Sequence, residues 1–267
     1  MPNMPDRRQR TRAIAAVLCA SALVASGLLG VRLGQHYERN WQCCRVPNPR
    51  RIVLSLEETL GMVPFRSGQG QDKWVAERVF PGVTDGFFLD VGSADGVDWS
   101  NTYALERKGW TGICVDPFPR NMQARTCRVF RSVVDSQPGR HVKFYNFGDL
   151  GGIRDYLNHT KEEVEKYAPP PVDLVTTTVA KILEEAKAPS FIHFMSLDVE
   201  GAELAALQGF PFDTVTLGAL VVEHNFEVEK RAAIEALLTS RGYVRVHSWY
   251  GDDYYLPASR VAPVAIQ

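Results

Sequence analysis

Four apolar runs in this chain lead into an acid. Phe87-Phe88-Leu89 meets Asp90, Ile113-Cys114-Val115 meets Asp116, the run from Phe191 to Leu197 meets Asp198, and Leu220-Val221-Val222 meets Glu223. A carboxylate just beyond a buried strand can accept hydrogen bonds from hydroxyls or take a proton from one. Four acids so placed are too many for a structural accident and predict one site along one edge of a sheet. Close to the last two stand Glu200, Glu203 and His224. Asp198, Glu200, Glu203, Glu223 and His224 are the candidate general bases, because a sugar or alcohol hydroxyl is a poor nucleophile and gains from a base within hydrogen-bond reach. His224 has an ordinary pKa near working pH, although a hydrogen-bonded structural histidine has the same signature. Glu200 and Glu203 share a face of a helix start, where they could equally serve the helix dipole. Asp198 and Glu200 also suit a hard cation. Nothing in the spacing demands one, and no metal is assigned.

Positioning these acids takes alternating strands and helices. Asp72 to Phe80 reads as a helix capped by Asp72. Strands follow at Phe87–Val91 and Ile113–Asp116, with a helix through Asn101–Lys108 between them that stops at Gly109. A third strand is expected over Val129–Val134. A less regular stretch from about Asn146 to Val172 contains Pro169-Pro170-Pro171 and is a candidate insertion over the site. Val179, Ile182, Leu183 and Ala186 mark an amphipathic helix, and Ile234, Leu237 and Leu238 another, stopped by Gly242. Tyr243–Trp249 and Tyr254–Leu256 around Gly251 read as a β-hairpin. This is an α/β pattern: a doubly wound, mostly parallel, Rossmann-like sheet with both faces covered. Ligands in such folds bind beyond the carboxyl ends of the strands, at the switch point.

The first strand opens into Asp90-Val91-Gly92-Ser93-Ala94-Asp95-Gly96. Gly92 and Gly96 allow a sharp turn and close approach to a ligand. Asp116 follows Asp90 by 26 positions and is placed to accept hydrogen bonds from two ribose hydroxyls. A nicotinamide dinucleotide would call for a third glycine where Ala94 stands, and Asp95 would repel its pyrophosphate. An acid there tolerates a sulfonium or an amino group, which favours S-adenosyl-L-methionine.

These segments resemble the FkbM family of methyltransferase domains over roughly Ser67 to Leu256. The resemblance is carried by Gly70-Gln71-Asp72-Lys73-Trp74-Val75, Phe88 through Gly96, Ser100-Asn101-Thr102, Leu105-Glu106, Gly109-Trp110-Thr111-Gly112 and Val115-Asp116-Pro117. Ser196 through Glu203 and Val222-Glu223-His224-Asn225 complete it. The resemblance implies a seven-stranded methyltransferase sheet, S-adenosylmethionine as cofactor and methylation of an oxygen. It implies that Asp90, Gly92, Ser93 and Gly96 line the methionine end, that Asp116, beside Pro117, holds the ribose, and that Asp135 lies near the adenine. Gln71, Asp72 and Asn101 either reach the cofactor or cap helices. Asp116 is a departure, since the family more often has Glu; both can bind a ribose. The alternative is a membrane-anchored trafficking or binding factor built on such a domain. The retained Asp90, Gly92, Gly96 and Asp116 argue against it.

With 45% hydrophobic and 23% charged residues the chain is of ordinary globular composition. Its net charge of −1 and pI near 6.6 offer nothing to nucleic acid. Cys19, Cys43, Cys44, Cys114 and Cys127 match no zinc or haem spacing. Their number is odd and sparse, so Cys114, inside an apolar run, is expected to be a buried small hydrophobe. Cys43 and Cys44 are placed for lipidation or pairing between chains. Residues 1–12 form a basic tail, 13–34 an apolar stretch long enough to span a bilayer, 35–66 a polar stem and 67–260 the catalytic domain. The arginines at 7, 8, 10 and 12 predict a cytoplasmic N-terminus, with the domain on the lumenal or extracytoplasmic side. A cleaved signal peptide, ending near Ala25-Ser26-Gly27, and an Arg-rich transit peptide are the other readings. Asn158-His159-Thr160 fits a glycosylation acceptor. The expected partners are the membrane and a glycan, lipid-linked sugar or small-molecule substrate.

Overall fold

The computed structural model describes residues 65–157 and 161–261. The basic tail, the apolar segment, nearly all of the stem, Cys43, Cys44 and the Asn158 triplet lie outside the described residues. Among the described residues, no helix is long and apolar enough to cross a membrane.

The strands are β1 (Phe87–Val91), β2 (Thr111–Val115), β3 (Arg128–Phe130), β4 (Val133–Val134), β5 (His141–Phe144) and β6 (Val172–Thr177). They continue with β7 (Phe191–Ile192), β8 (Phe194–Leu197), β9 (Thr216–Leu217), β10 (Leu220–Glu223), β11 (Tyr243–Trp249) and β12 (Asp252–Pro257). The helices are α1 (Gln71–Trp74, continued by a π-turn over Val75–Val79), α2 (Tyr103–Arg107), α3 (Lys161–Tyr167), α4 (Val179–Ala186), α5 (Glu203–Gln208) and α6 (Val228–Ser240).

Seven strands form the main sheet in the order β3-β2-β1-β8-β10-β12-β11. β3, β2, β1, β8 and β10 are parallel neighbours. β12 runs against both β10 and β11, so it alone is reversed. The order turns around between β1 and β8, which makes the crevice beyond their carboxyl ends the expected ligand position. Side-chain alternation sends Leu89 and Val91 to one face, against Val179, Ile182 and Leu183 of α4 and Ile234 and Leu238 of α6. Phe88 points to the other, where Val75, Val79, Leu105 and Trp110 pack. Asp90 shares the Phe88 face by the same alternation. Helices on both faces make the fold doubly wound.

Several expectations are corrected. The third strand is two: β3 ends the main sheet at Phe130, and β4 leaves it to pair with β6, which pairs in turn with β5. β5 and β6 were not expected. The run from Phe191 to Leu197 breaks at His193, whose Nδ1 accepts from Phe87 N at 3.1 Å; β7 then pairs with β9 and β8 with β1 and β10. Asp72 does not cap α1. It sits in the first turn and accepts from Arg66 N at 2.6 Å and Ser67 Oγ at 2.5 Å, folding the preceding segment back. Cys114 is not a free thiol: it forms a disulfide with Cys127 that links β2 to the loop before β3.

Candidate functional site

The loop after β1 is fixed by its backbone. Gly92 N–H and Ser93 N–H both donate to Val115 O, at 2.8 and 3.1 Å. Gly92 has φ +90°, and a Cβ there would lie 1.6 Å from the Asp198 carbonyl oxygen. The β1 loop therefore rests directly on the start of the β8 loop, and glycine is what lets it. Ala94 N–H donates to Asp116 Oδ2 at 3.0 Å and Phe118 N–H to Oδ1 at 2.7 Å. These bonds fix the Asp116 carboxylate while leaving it two lone-pair positions. Asp95 turns inward, its Oδ1 accepting from Val97 N and Asp98 N, both at 3.0 Å.

Asp90 is buried and accepts from Thr102 Oγ1 at 2.5 Å. Behind Thr102 lies Arg125, whose Nη2 donates to that hydroxyl at 2.8 Å and whose Nε donates to Glu106 at 2.8 Å. Burial raises the Asp90 pKa despite the attraction of Arg125. Asn101, expected as cofactor ligand or cap, donates from Nδ2 to Ser196 Oγ at 2.8 Å and leaves the α2 cap position to Thr102.

These groups line a cavity of about 310 Å³ beyond β1, β2 and β8. Asp90, Gly92, Ser93, Asn101, Asp116, Pro117, Asp198 and Glu200 all face it. So do apolar side chains from β4, β5 and the following stretch: Val133, Val134, Phe144, Leu150 and Ile153. The anticipated insertion thus contributes its first part, 148–153, to the wall. Gly96 lies just outside, against Met122 and Arg125. Ser93 Oγ is buried and has no hydrogen-bond partner, an orphan donor that a ligand would satisfy. Acids, a free pair of lone-pair positions on Asp116 and an apolar wall suit a ligand with a cationic end, vicinal hydroxyls and a flat ring.

Beyond β8 and β10 the acids crowd. Asp198, Glu203 and Glu223 bring carboxylate oxygens within 4.8 Å of one another. The arrangement is an all-oxygen set of the kind a hard cation prefers. Asp198 and Glu223 share a hydrogen bond, and both are pushed up, Asp198 to about 7, through burial first and then neighbouring negative charge. Glu200, at φ +52°, rises to about 8 for the same reasons. Asn225 Nδ2 donates to Glu223 Oε2 at 2.7 Å. Glu203 is wholly buried; its Oε1 accepts from Val199 N and Gly201 N, at 3.1 and 2.9 Å. It organises the β8 loop and faces neither cavity.

A second cavity, about 420 Å³, adjoins the first and shares Trp99, Asn101 and Asp198 with it. Gly68, Gln69, Gln71, Glu223, Trp249, Tyr250 and Asp252 complete its lining. Gln71 Nε2 donates to Asp252 Oδ2 at 2.6 Å, so this candidate faces the second cavity, away from the first.

Besides Gly96 and Glu203, two more expected residues lie elsewhere. Asp135 faces neither cavity. It is buried beneath β4 and β6, ion-paired with Arg140 and accepting from Tyr156 Oη at 3.1 Å. His224 is also buried outside both, with Nδ1 accepting from Phe226 N at 3.0 Å and Nε2 3.7 Å from Asp253. Burial lowers its pKa, which favours a neutral structural histidine. Sequence reasoning missed Thr102 and Arg125 behind Asp90, and Trp99, Trp249, Tyr250 and Asp252 around the second cavity. For the aromatics, the turn at Gly251 was the available signal: residues flanking a hairpin tip project toward the same end of the sheet as the strand-end acids.

The fold and its crevice define a doubly wound α/β domain that takes a ligand at the switch point of its sheet. A family model for the FkbM methyltransferase domain matches residues 90–245, more than half of the chain, and the protein belongs to that family. It is a methyltransferase by that membership. No curated protein matches the chain.

Proposed function

We propose that the protein is an S-adenosylmethionine-dependent O-methyltransferase, held to a membrane by residues 13–34, that methylates a neutral hydroxyl. One observation carries this reading: two cavities meet at Asn101 and Asp198, so a cofactor in one and an acceptor in the other would face each other across a carboxylate. In the first cavity, Asp116 is placed to accept from ribose hydroxyls, the Val133–Val134 wall to cover an adenine, and Asp90 with Ser93 to hold the amino-acid end. When bound, S-adenosylmethionine supplies a methyl carbon to the acceptor oxygen, the carbon–sulfur electron pair returning to sulfur. Asp198 takes the hydroxyl proton, and its raised pKa matches that task near neutral pH. Asn101, anchored on Ser196, orients the acceptor, and alignment of this kind supplies much of the rate.

The Cys114–Cys127 disulfide supports an oxidising, lumenal or extracytoplasmic location for the domain. Protease added to sealed membranes is expected to spare the domain until detergent is present; digestion without detergent would reverse the orientation.

Calorimetry with the full chain tests the cofactor. Micromolar binding that is weakened by Asp90→Ala or Asp116→Ala alone and lost when the two are combined is expected. A folded wild-type protein that does not bind would replace the enzyme with a non-catalytic binding factor.

A further inference from the structure

The second cavity has an unusual rim. Trp99, Phe226 and Tyr250 have φ of +65°, +62° and +55°. Their side chains are nevertheless in water, at 59%, 62% and 74% exposure. Left-handed backbone is unfavourable for a bulky residue, and neighbouring exposed apolar groups in a monomeric domain mark a binding surface. Here both occur in Trp99 and Tyr250, which line the cavity, and in Phe226, which packs against Tyr250 from outside it. Phe226 supports Tyr250 edge-on, with centroids 5.5 Å apart, and Trp249, also 59% exposed, lies parallel to His247. Strain of this kind persists where the surroundings impose it, and it concentrates at ligand sites.

The floor beneath these rings decides what binds. Asp198, Glu223 and Asp252 face the cavity, with Gln71 fixed on Asp252. Among the described residues, the lining offers an anionic acceptor three carboxyl groups and no Lys, Arg or His to pair with. A cationic acceptor would lie beside the cofactor's own positive charge, and a protonated amine has no lone pair to methylate. The ligand left is neutral, rich in hydroxyls, and has an apolar face for the rings. We propose that the second cavity is a saccharide site. The C–H face of a neutral pyranose packs on Trp249 and Tyr250, and its hydroxyls reach Asn101, Asp198, Glu223 and Asp252. One hydroxyl is thereby brought to Asp198. The exclusion of a cationic ligand and the fate of that hydroxyl both rest on the methyl-transfer reading; the aromatic face and the hydroxyl acceptors of the cavity do not.

The test is saturation-transfer NMR on the full-length protein in detergent micelles. The probes are neutral methyl hexosides, methyl deoxyhexosides and methyl N-acetylhexosaminides, with tetramethylammonium and glucuronate as charged controls. S-adenosylmethionine binding is measured in parallel. At least one neutral pyranoside is expected to receive saturation on its C–H face. Trp249→Ala and Tyr250→Ala are expected to weaken it about tenfold, Trp249→Phe to restore part, and cofactor affinity to hold within twofold in all three. Cofactor binding without binding of any neutral pyranoside overturns the saccharide site and leaves the methyltransferase reading standing. Stronger binding of tetramethylammonium or glucuronate than of every pyranoside overturns it as well. Pyranoside binding without cofactor binding supports the site and removes the enzymatic role.

Discussion

The acids beyond β1 and β2 and those beyond β8 and β10 come from one sequence pattern, yet the protein treats them differently. On the first side each carboxylate has its donors. Asp116 takes two backbone N–H groups, and Asp90 takes a hydroxyl with Arg125 behind it. On the second side Asp198, Glu200 and Glu223 crowd together with the Asn225 amide donating to Glu223, while Glu203 behind them takes two backbone N–H groups and has Lys230 Nζ 3.7 Å away. Fixed donors hold a carboxylate still for recognition. Crowded carboxylates hold protons near neutral pH. On the proposed reading the first half binds and the second moves a proton, and the two touch where Gly92 lies on the Asp198 carbonyl.

Removing the proton acceptor should have the largest effect. Asp198→Asn keeps the shape and loses the base, so transfer of labelled methyl to an acceptor is expected to fall about a thousandfold while calorimetric cofactor affinity changes little. In the wild type the rate should rise with pH through about 7, as Asp198 gives up its proton, the observed value belonging to the Asp198–Glu223 pair. A flat profile, or an active variant, would dissolve the division of labour between the two halves.

The contact between the halves breaks next. Gly92→Ala puts a Cβ into the Asp198 backbone at a φ of +90°. A loss of about 3 kcal/mol in chemical unfolding is expected, with weakened cofactor binding in whatever remains folded. A neutral outcome would mean that the two loops move independently.

On the recognition side, Asp116→Ala removes the fixed acceptors for a ribose. A cost of about 2–3 kcal/mol in cofactor affinity is expected, with no shift in the pH at which transfer turns on. If that pH moved with this substitution, the halves would be electrostatically one unit.

How much of this was legible in the chain follows from burial. The central parallel strands are buried on both faces, so each wrote a continuous apolar run ending at its acid. α4 bears its apolar stripe, and Thr178 Oγ1 caps it by accepting from Lys181 N at 3.2 Å. β5 and β6 lie outside the main sheet with much of their surface in water, so no such run exists; His141-Val142-Lys143-Phe144 does alternate, a short signal that could have been read. The Cys114–Cys127 link needs β2 and β3 side by side, with Cys114 opposite Val129, which no spacing reveals. Asp135 and Asp116 look alike in sequence, but β4 carries Asp135 away from the main sheet to Arg140. The rim aromatics were invisible as ligands because an exposed tryptophan and a buried one are the same letter.

The smallest expected effect is on stability. Glu223 has a folded pKa far above its ordinary 4.5, because it is buried and faces Asp198 and Glu200. A carboxyl raised on folding stabilises fully below its unfolded pKa, and that contribution fades as pH rises above it. The unfolded chain ionises near 4.5, while the folded one must keep the proton or tolerate the charge. Wild-type melting temperature is therefore expected to decline from pH 5 to pH 8. Glu223→Gln carries a permanently neutral group of the same shape, so it should match the wild type near pH 4.5 and exceed it in stability at pH 8. Melting curves at both pH values check this. Parallel curves would mean that the acids of the second half carry their charges in the fold, and the contrast between the halves would be one of shape alone.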